Sequence, residues 1–272
     1  MNANKALWEL GDFTRIAEAM RESGEDFVRH AGIEPGMQVL DLGCGDGTTA
    51  IPAAKLGARV TGVDIAANLV AAGNRRAAQA ALGANCVFLE GDASDLRGIE
   101  NKSFDLVLSV FGAMFAPRPF DVAREMVRVT RPGGRIVMGN WIPGDPTLVA
   151  QILKTCSAYT PPPPEGFVSP MTWGSTPHIL ERFAAVGIAD EAIRWERDTW
   201  VFDYKGAPEE FADLFRQFYG PTIKAFEAAA QQGRADDLRR ELAQLFASQN
   251  QSQYPNTTLV SATFLKVTVD VG

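Results

Sequence analysis

Histidine is nearly missing from this chain: His30 and His178 are the only two in 272 residues. A histidine-based metal cluster is therefore excluded by count. Cysteine is scarce as well. Cys44, Cys86 and Cys156 are odd in number and widely spaced, which leaves neither a disulfide framework nor a C-x-x-C metal site. Positive charge is in deficit, with 26 Lys and Arg against 33 Asp and Glu and a net charge of −7. The only basic doublets, Arg75-Arg76 and Arg239-Arg240, read as solvated helix faces, so a nucleic-acid partner is not expected. No run approaches the ~18 apolar residues of a membrane span. The opening MNANKALWELGDFTR lacks an apolar signal core. These absences predict a cytoplasmic protein with no membrane and no nucleic-acid partner.

Two nucleotide-site motifs are also missing. Gly43 and Gly45 are followed by Thr48 rather than a third glycine, so the dinucleotide pattern G-x-G-x-x-G fails. No Gly-Lys-Ser/Thr follows either, which excludes a phosphate P-loop. None of the four tyrosines (Tyr159, Tyr204, Tyr219, Tyr254) has a lysine four residues on, which counts against a nicotinamide oxidoreductase, a lesser alternative.

What is present is a hydrophobic content of 46% with 22% charged residues, enough for a full core. The length suits one α/β domain with a cap. Apolar, β-rich runs occur at Gln38–Asp41, Arg59–Asp64, Cys86–Glu90, Phe104–Val110 and Arg135–Asn140, with Ala-rich or amphipathic stretches between them. That alternation predicts parallel strands joined by helical crossovers, covered on both faces. Beyond Trp141, Thr160–Pro170 (TPPPPEGFVSP) cannot be helical. A helix is expected at Thr176–Ala185 and a long strand at Ile193–Tyr204. Three helical stretches follow, around Pro208–Phe218, Lys224–Ala230 and Leu238–Phe246. The closing strand lies in TTLVSATFLKVTVDV.

The richest stretch is VLDLGCGDGTT, Val39–Thr49. A strand ends in a carboxylate, and Gly43, Gly45 and Gly47 form the turn into a helix. Bare backbone admits a ligand without meeting a Cβ, and the free amides of the helix start can face it. Asp41, just before the loop, suits a ligand bearing an ammonium group better than one bearing phosphates. Asp64 ends the second strand in VTGVDIA, where a carboxylate can accept both ribose hydroxyls. Asp92 follows the third strand in FLEGDA and can accept an amino hydrogen of adenine. Three acids at three strand tips describe one cleft along the carboxyl edge of the sheet.

With VLDLGCGDG, VTGVDIA, FLEGDA, SFDLVLSVFGAMF and RPGGRIVMGNW in order over about residues 36–141, the chain resembles the class I S-adenosylmethionine-dependent methyltransferases. The remainder is similar to their ubiquinone/menaquinone-methyltransferase-like small-molecule branch, with an entry WELGDFTRIA and a later FYGPTIKAF. The resemblance implies a Rossmann-like α/β fold with a seven-stranded sheet, order 3-2-1-4-5-7-6, the last strand antiparallel. It implies S-adenosyl-L-methionine as cofactor and S-adenosyl-L-homocysteine as product. Gly43 and Gly45 would lie by the methionine part, Asp64 with Ile65 at the ribose, Asp92 with Ala93 at adenine, and Ser109 and Phe111 beneath the methionine end. The expected divisions are an N-terminal helical lid at 1–35, a cofactor-binding domain at 36–205 and 254–272, and a helical insertion or cap at 206–253.

The segment after strand four, SVFGAMFAP, has no acid, amide or histidine beyond its serine. This departs from the Asn-Pro-Pro-aromatic type of amino methyltransferase, and no metal is suggested. Candidate acceptor contacts are Trp8, Phe13, Met114, Phe115 and Trp141. His178, after the proline-rich loop, is the one candidate general base; His30 reads as a helix-end residue. Expected is metal-free, in-line methylation of an oxygen, carbon or sulfur of a small apolar or aromatic metabolite. A non-catalytic protein that keeps the cofactor cleft is the second reading. The Phe211–Phe218 stripe allows either a monomer or a homodimer.

Overall fold

Val39, Leu40, Leu42, Leu106, Val107 and Leu108 have almost no solvent exposure. Strands apolar on both faces must be covered on both, and the computed structural model, which describes residues 2–272, shows how. Met1, the first residue of the expected 1–35 segment, lies outside the described residues. The chain opens with short helices α1 (Ala3–Trp8), α2 (Thr14–Ala17) and α3 (Arg21–Arg29). Then β1 (Gln38–Leu42), α4 (Ala50–Lys55), β2 (Arg59–Asp64), α5 (Ala67–Gln79), β3 (Cys86–Glu90), β4 (Phe104–Val110), α6 (Pro119–Val129) and β5 (Thr130–Trp141) build the parallel part.

The sheet has seven strands in the order β3-β2-β1-β4-β5-β7-β6. After β5 come α7 (Leu148–Ser157), α8 (Thr176–Ala184), β6 (Ile193–Tyr204), α9 (Pro208–Phe218), α10 (Gly220–Gln231), α11 (Ala235–Gln249) and β7 (Thr258–Asp270). β7 runs antiparallel to both β5 and β6. The order and the sense of the last strand are as the family resemblance implies. β5 begins five residues earlier than expected: Thr130 pairs with Phe104, and the register shifts across Pro132-Gly133-Gly134 before Arg135 rejoins at Leu106. α7 has no counterpart in the sequence expectation.

Parallel β1, β2 and β4 end side by side, which sets their carboxyl tips along one edge. α9, α10 and α11 lie between β6 and β7 in the chain. Among the described residues no helix is long and apolar enough to cross a membrane.

Candidate active site

A cleft of about 1120 Å³, open mouth included, lies along that carboxyl edge. Its floor is backbone. Gly43, at φ +72°, packs so closely on Gly112 that an added Cβ would come within 2.5 Å of it, which brings the β1 and β4 loops into contact. Gly45, at φ +55°, has open space where a Cβ would stand. A bare backbone therefore faces the cleft there.

Three acids surround this loop. Asp41 is buried; its Oδ2 accepts from the Thr49 hydroxyl at 2.6 Å, while its Oδ1 has no hydrogen-bond partner. Burial pushes its carboxyl up to about 7, against a lowering by the Thr49 bond and with a further push from Asp64. Asp64 Oδ2 accepts from the Gly45 N–H at 2.8 Å and Oδ1 from the Ala66 N–H at 2.9 Å. Each oxygen keeps a lone pair, and burial again pushes the carboxyl up. Asp92 Oδ1 accepts from Ser94 N–H and hydroxyl at 2.9 and 2.6 Å, and its Oδ2 stands 3.9 Å from Arg118.

Of the sequence-predicted residues, Gly43, Gly45, Asp64, Ile65, Asp92, Ala93, Phe111, Trp8, Phe13, Phe115 and Trp141 line one cleft. Four do not. Asp41 sits behind the loop. Ser109 is buried with its hydroxyl donating to Leu42 O at 2.9 Å and accepting from Ala113 N–H at 3.1 Å. It ties β4 to β1 and to its own turn and does not line the cleft. Met114 is packed into the core, because the turn after β4 points it inward, opposite to Phe115. The fourth, the candidate general base His178, is not brought to the cleft. It is exposed on the first turn of α8, with Nδ1 3.1 Å from Ser175 Oγ, and does not line the cleft. His30 caps α3 with Nδ1 2.9 Å from Asp26 O. Cys44 is buried in the glycine loop, and burial pushes its thiol up, so it is a space-filling residue rather than a nucleophile.

Sequence reasoning missed part of the wall: Trp200 and Phe202 on β6, and Phe215 and Tyr219 at the end of α9. The signal was period-2 spacing in TWVFDY and i, i+4 spacing in FRQFY, but neither says which face meets the cleft. With these, nine aromatic side chains line the cleft. Phe111 and Trp141 stack face to face, centroids 3.6 Å apart and planes 7° off parallel. Phe111 holds φ +58°, a strained conformation for a side-chain-bearing residue. Its N–H, donating to Gly139 O at 2.9 Å, and the stack hold it there.

The N-terminal segment closes the rim. Lys5 pairs with Glu90 at the end of β3, Glu9 Oε1 accepts from Ala67 N–H at 3.0 Å, and Asn68 donates to Gly11 O at 3.2 Å. Arg21 grips Asp46, which is buried in the glycine loop, from α3, while Arg76 approaches the same carboxylate at 3.4 Å from α5. Among the described residues no group of three or more His, Cys, Asp or Glu side chains is placed to hold a metal ion.

Residues 40–138 match the model of a family described as a methyltransferase domain. The chain is 37% identical over 228 residues to the uncharacterized protein Rv1403c of Mycobacterium tuberculosis, covering 84% of this chain and 80% of that one. It is 36% identical over 114 residues to the demethylmenaquinone methyltransferase of Renibacterium salmoninarum, 42% of this chain and 45% of that one. In fold it is similar to a phosphoethanolamine N-methyltransferase of Haemonchus contortus, solved with S-adenosylhomocysteine. That match has a TM-score of 0.61 and 17% identity, and covers 100% of this chain and 61% of that one.

Proposed function

Since this chain belongs to the class I S-adenosylmethionine-dependent methyltransferases, we propose that it methylates an oxygen, carbon or sulfur of a small, flat, apolar acceptor, without a metal. The observation that carries this reading is the aromatic wall of the cleft. The residues fit the cofactor. The open space at Gly45 accommodates close approach, the unpartnered Asp41 Oδ1 awaits a donor behind the loop, and Asp64 and Asp92 each keep oxygen lone pairs at the strand tips. In this reading Asp41 and the Gly43–Gly45 backbone hold the methionine end, Asp64 with Ile65 the ribose, and Asp92 with Ala93 the adenine.

When bound, the cofactor supplies a methyl group on a sulfonium, an electrophile strong enough to need no activation by the protein. The chain's task is then to align the acceptor and exclude water. Phe111, stacked on Trp141, forms a rigid plane against which a flat ring can lie. Trp8 and Phe13 from the N-terminal segment and Phe215 and Tyr219 from the helical insertion close over it. The acceptor side of the wall carries no carboxylate, histidine or amine among the described residues. A nucleophile that ionises by itself suits such a wall. The N-terminal segment 1–35 acts as a lid and 206–253 as a cap, on a cofactor-binding domain of 36–205 and 254–272. The Renibacterium relative's name, demethylmenaquinone methyltransferase, supports an acceptor of this flat apolar class.

Calorimetric titration with S-adenosylmethionine, S-adenosylhomocysteine and NAD⁺ tests the reading. The first two bind, and Asp64→Ala weakens both at least tenfold. Binding of NAD⁺ alone would overturn the reading. Methyl transfer to a phenolic acceptor library then separates an enzyme from a protein that only binds the cofactor.

A further inference from the structure

Trp200 lines the cleft from β6, is 1% exposed, and its indole N–H has no hydrogen-bond partner. A buried donor left unmade costs the fold the desolvation of that group. A phenylalanine would fill the same wall without that cost. The indole is also held too firmly to seek a partner elsewhere. Its ring meets Phe111 edge to face at 4.9 Å and 84°, and Phe27 and Phe264 flank it at 6.3 and 6.1 Å. The neighbouring Val201 is clamped on both sides, its N–H donating to Ser23 Oγ and its carbonyl accepting from the same hydroxyl, each at 2.9 Å. No group among the described residues supplies that partner.

The position says which ligand. Phe111 precedes Gly112, which packs on Gly43, so Trp200 stands beside the plane that adjoins the glycine loop. That is the inner end of the acceptor half. Burial pushes the Tyr219 phenol up, so its hydroxyl stays neutral and is no base.

We infer that Trp200 is the specificity-determining residue of the acceptor site, its indole N–H donating to a carbonyl, phenolate or enolate oxygen on a flat apolar ring. This rests on the acceptor reading proposed above. An acidic phenol or enol loses its proton to water before it enters, and the N–H then stabilises the resulting oxyanion where no cationic side chain faces it. A neutral ring of the same shape without that oxygen leaves the donor unmade and binds less well.

The probes are 2-acetylnaphthalene and 2-isopropenylnaphthalene, which differ by C=O against C=CH₂ at one position. Each is titrated into wild-type and Trp200→Phe protein preloaded with S-adenosylhomocysteine. Wild type is expected to bind the ketone at least fivefold tighter than the alkene. Trp200→Phe is expected to lose that preference and bind the two probes with equal affinity. A measurement on wild type alone guards against a misfolded variant: one of the five tryptophan indole N–H resonances shifts downfield with the ketone and not with the alkene. Equal binding of the two probes by wild type, no binding of either, a preference that survives in Trp200→Phe, or an unmoved indole resonance overturns the inference. Failure of S-adenosylhomocysteine to load the wild-type protein overturns the cofactor reading instead, and the two failures are thus distinct.

Discussion

Asp41 carries a cost in the ligand-free fold that can be read against pH. Its carboxyl is pushed up to about 7 by burial, from an ordinary 3.8. The folded state thus holds this proton more tightly than the unfolded chain does. The stabilisation from holding it is complete below about pH 4 and is lost as pH rises towards 7. The full span is about 4 kcal/mol, three pKa units at 1.36 kcal/mol each. Asp41→Asn keeps an acceptor for the Thr49 hydroxyl and removes the titration. Denaturant melts of the ligand-free protein should show the variant gaining on wild type from pH 5 to pH 8. A constant difference across that range would mean that Asp41 is not held protonated by the fold. The unpartnered Oδ1 also fits a cation arriving with the cofactor, so S-adenosylhomocysteine binding should release protons near pH 6. Titrations in buffers of different ionisation enthalpy read that release directly.

At the scale of elements, the link between α3 and the glycine loop matters most. Arg21 reaches from α3 to the buried Asp46, and Thr48 accepts from the same guanidinium. Removing one partner of a buried carboxylate leaves its charge under-compensated. Arg76 remains, at 3.4 Å, so the expected loss for Arg21→Met is about 1–3 kcal/mol, within the range for an unmade buried polar contact. Because Asp46 and Thr48 line the cleft, S-adenosylhomocysteine affinity should fall several-fold as well. A stability loss with unchanged affinity would mean that α3 anchors the fold and not the loop. The elements themselves were mostly legible. β2, β3, β4 and β6 fall on the expected residues because their apolar runs are bounded by turn residues. α7 is a ten-residue helix, Leu148–Ser157, that the sequence reading did not single out. β5 was cut short because Pro132-Gly133-Gly134 reads as a turn, whereas the strand passes through it with a register shift.

At the scale of the molecule, the cleft lies between pieces remote in sequence: α1 and its following turn, the carboxyl tips of β1, β2 and β4, and the β6–α9 region. Filling it should stabilise the whole assembly. At one hundred times its Kd, S-adenosylhomocysteine adds about 2.7 kcal/mol. For a chain of 272 residues that corresponds to a rise in Tm of about 5 °C. Hydrogen exchange should slow in residues 3–13, since Lys5, Glu9 and Gly11 bridge to Glu90, Ala67 and Asn68 on the cofactor rim. Protection confined to the glycine loop would argue against a lid at the N-terminus.

The sequence by itself determined the alternation of strands and helices and the acids at the strand tips, because those rest on local motifs; the sheet order and the cofactor class followed from the family resemblance those motifs carry. Only the tertiary structure decided which aromatics line the cleft. Trp200 and Phe202 share one face of a strand, and Phe215 lies on α9 with Tyr219 just past its end, but the face each presents to the cleft depends on how distant elements pack. The same packing moved Met114 into the core, turned the Ser109 hydroxyl onto Leu42 and left His178 outside. Periodicity says that a face exists, and long-range contact alone says what that face meets.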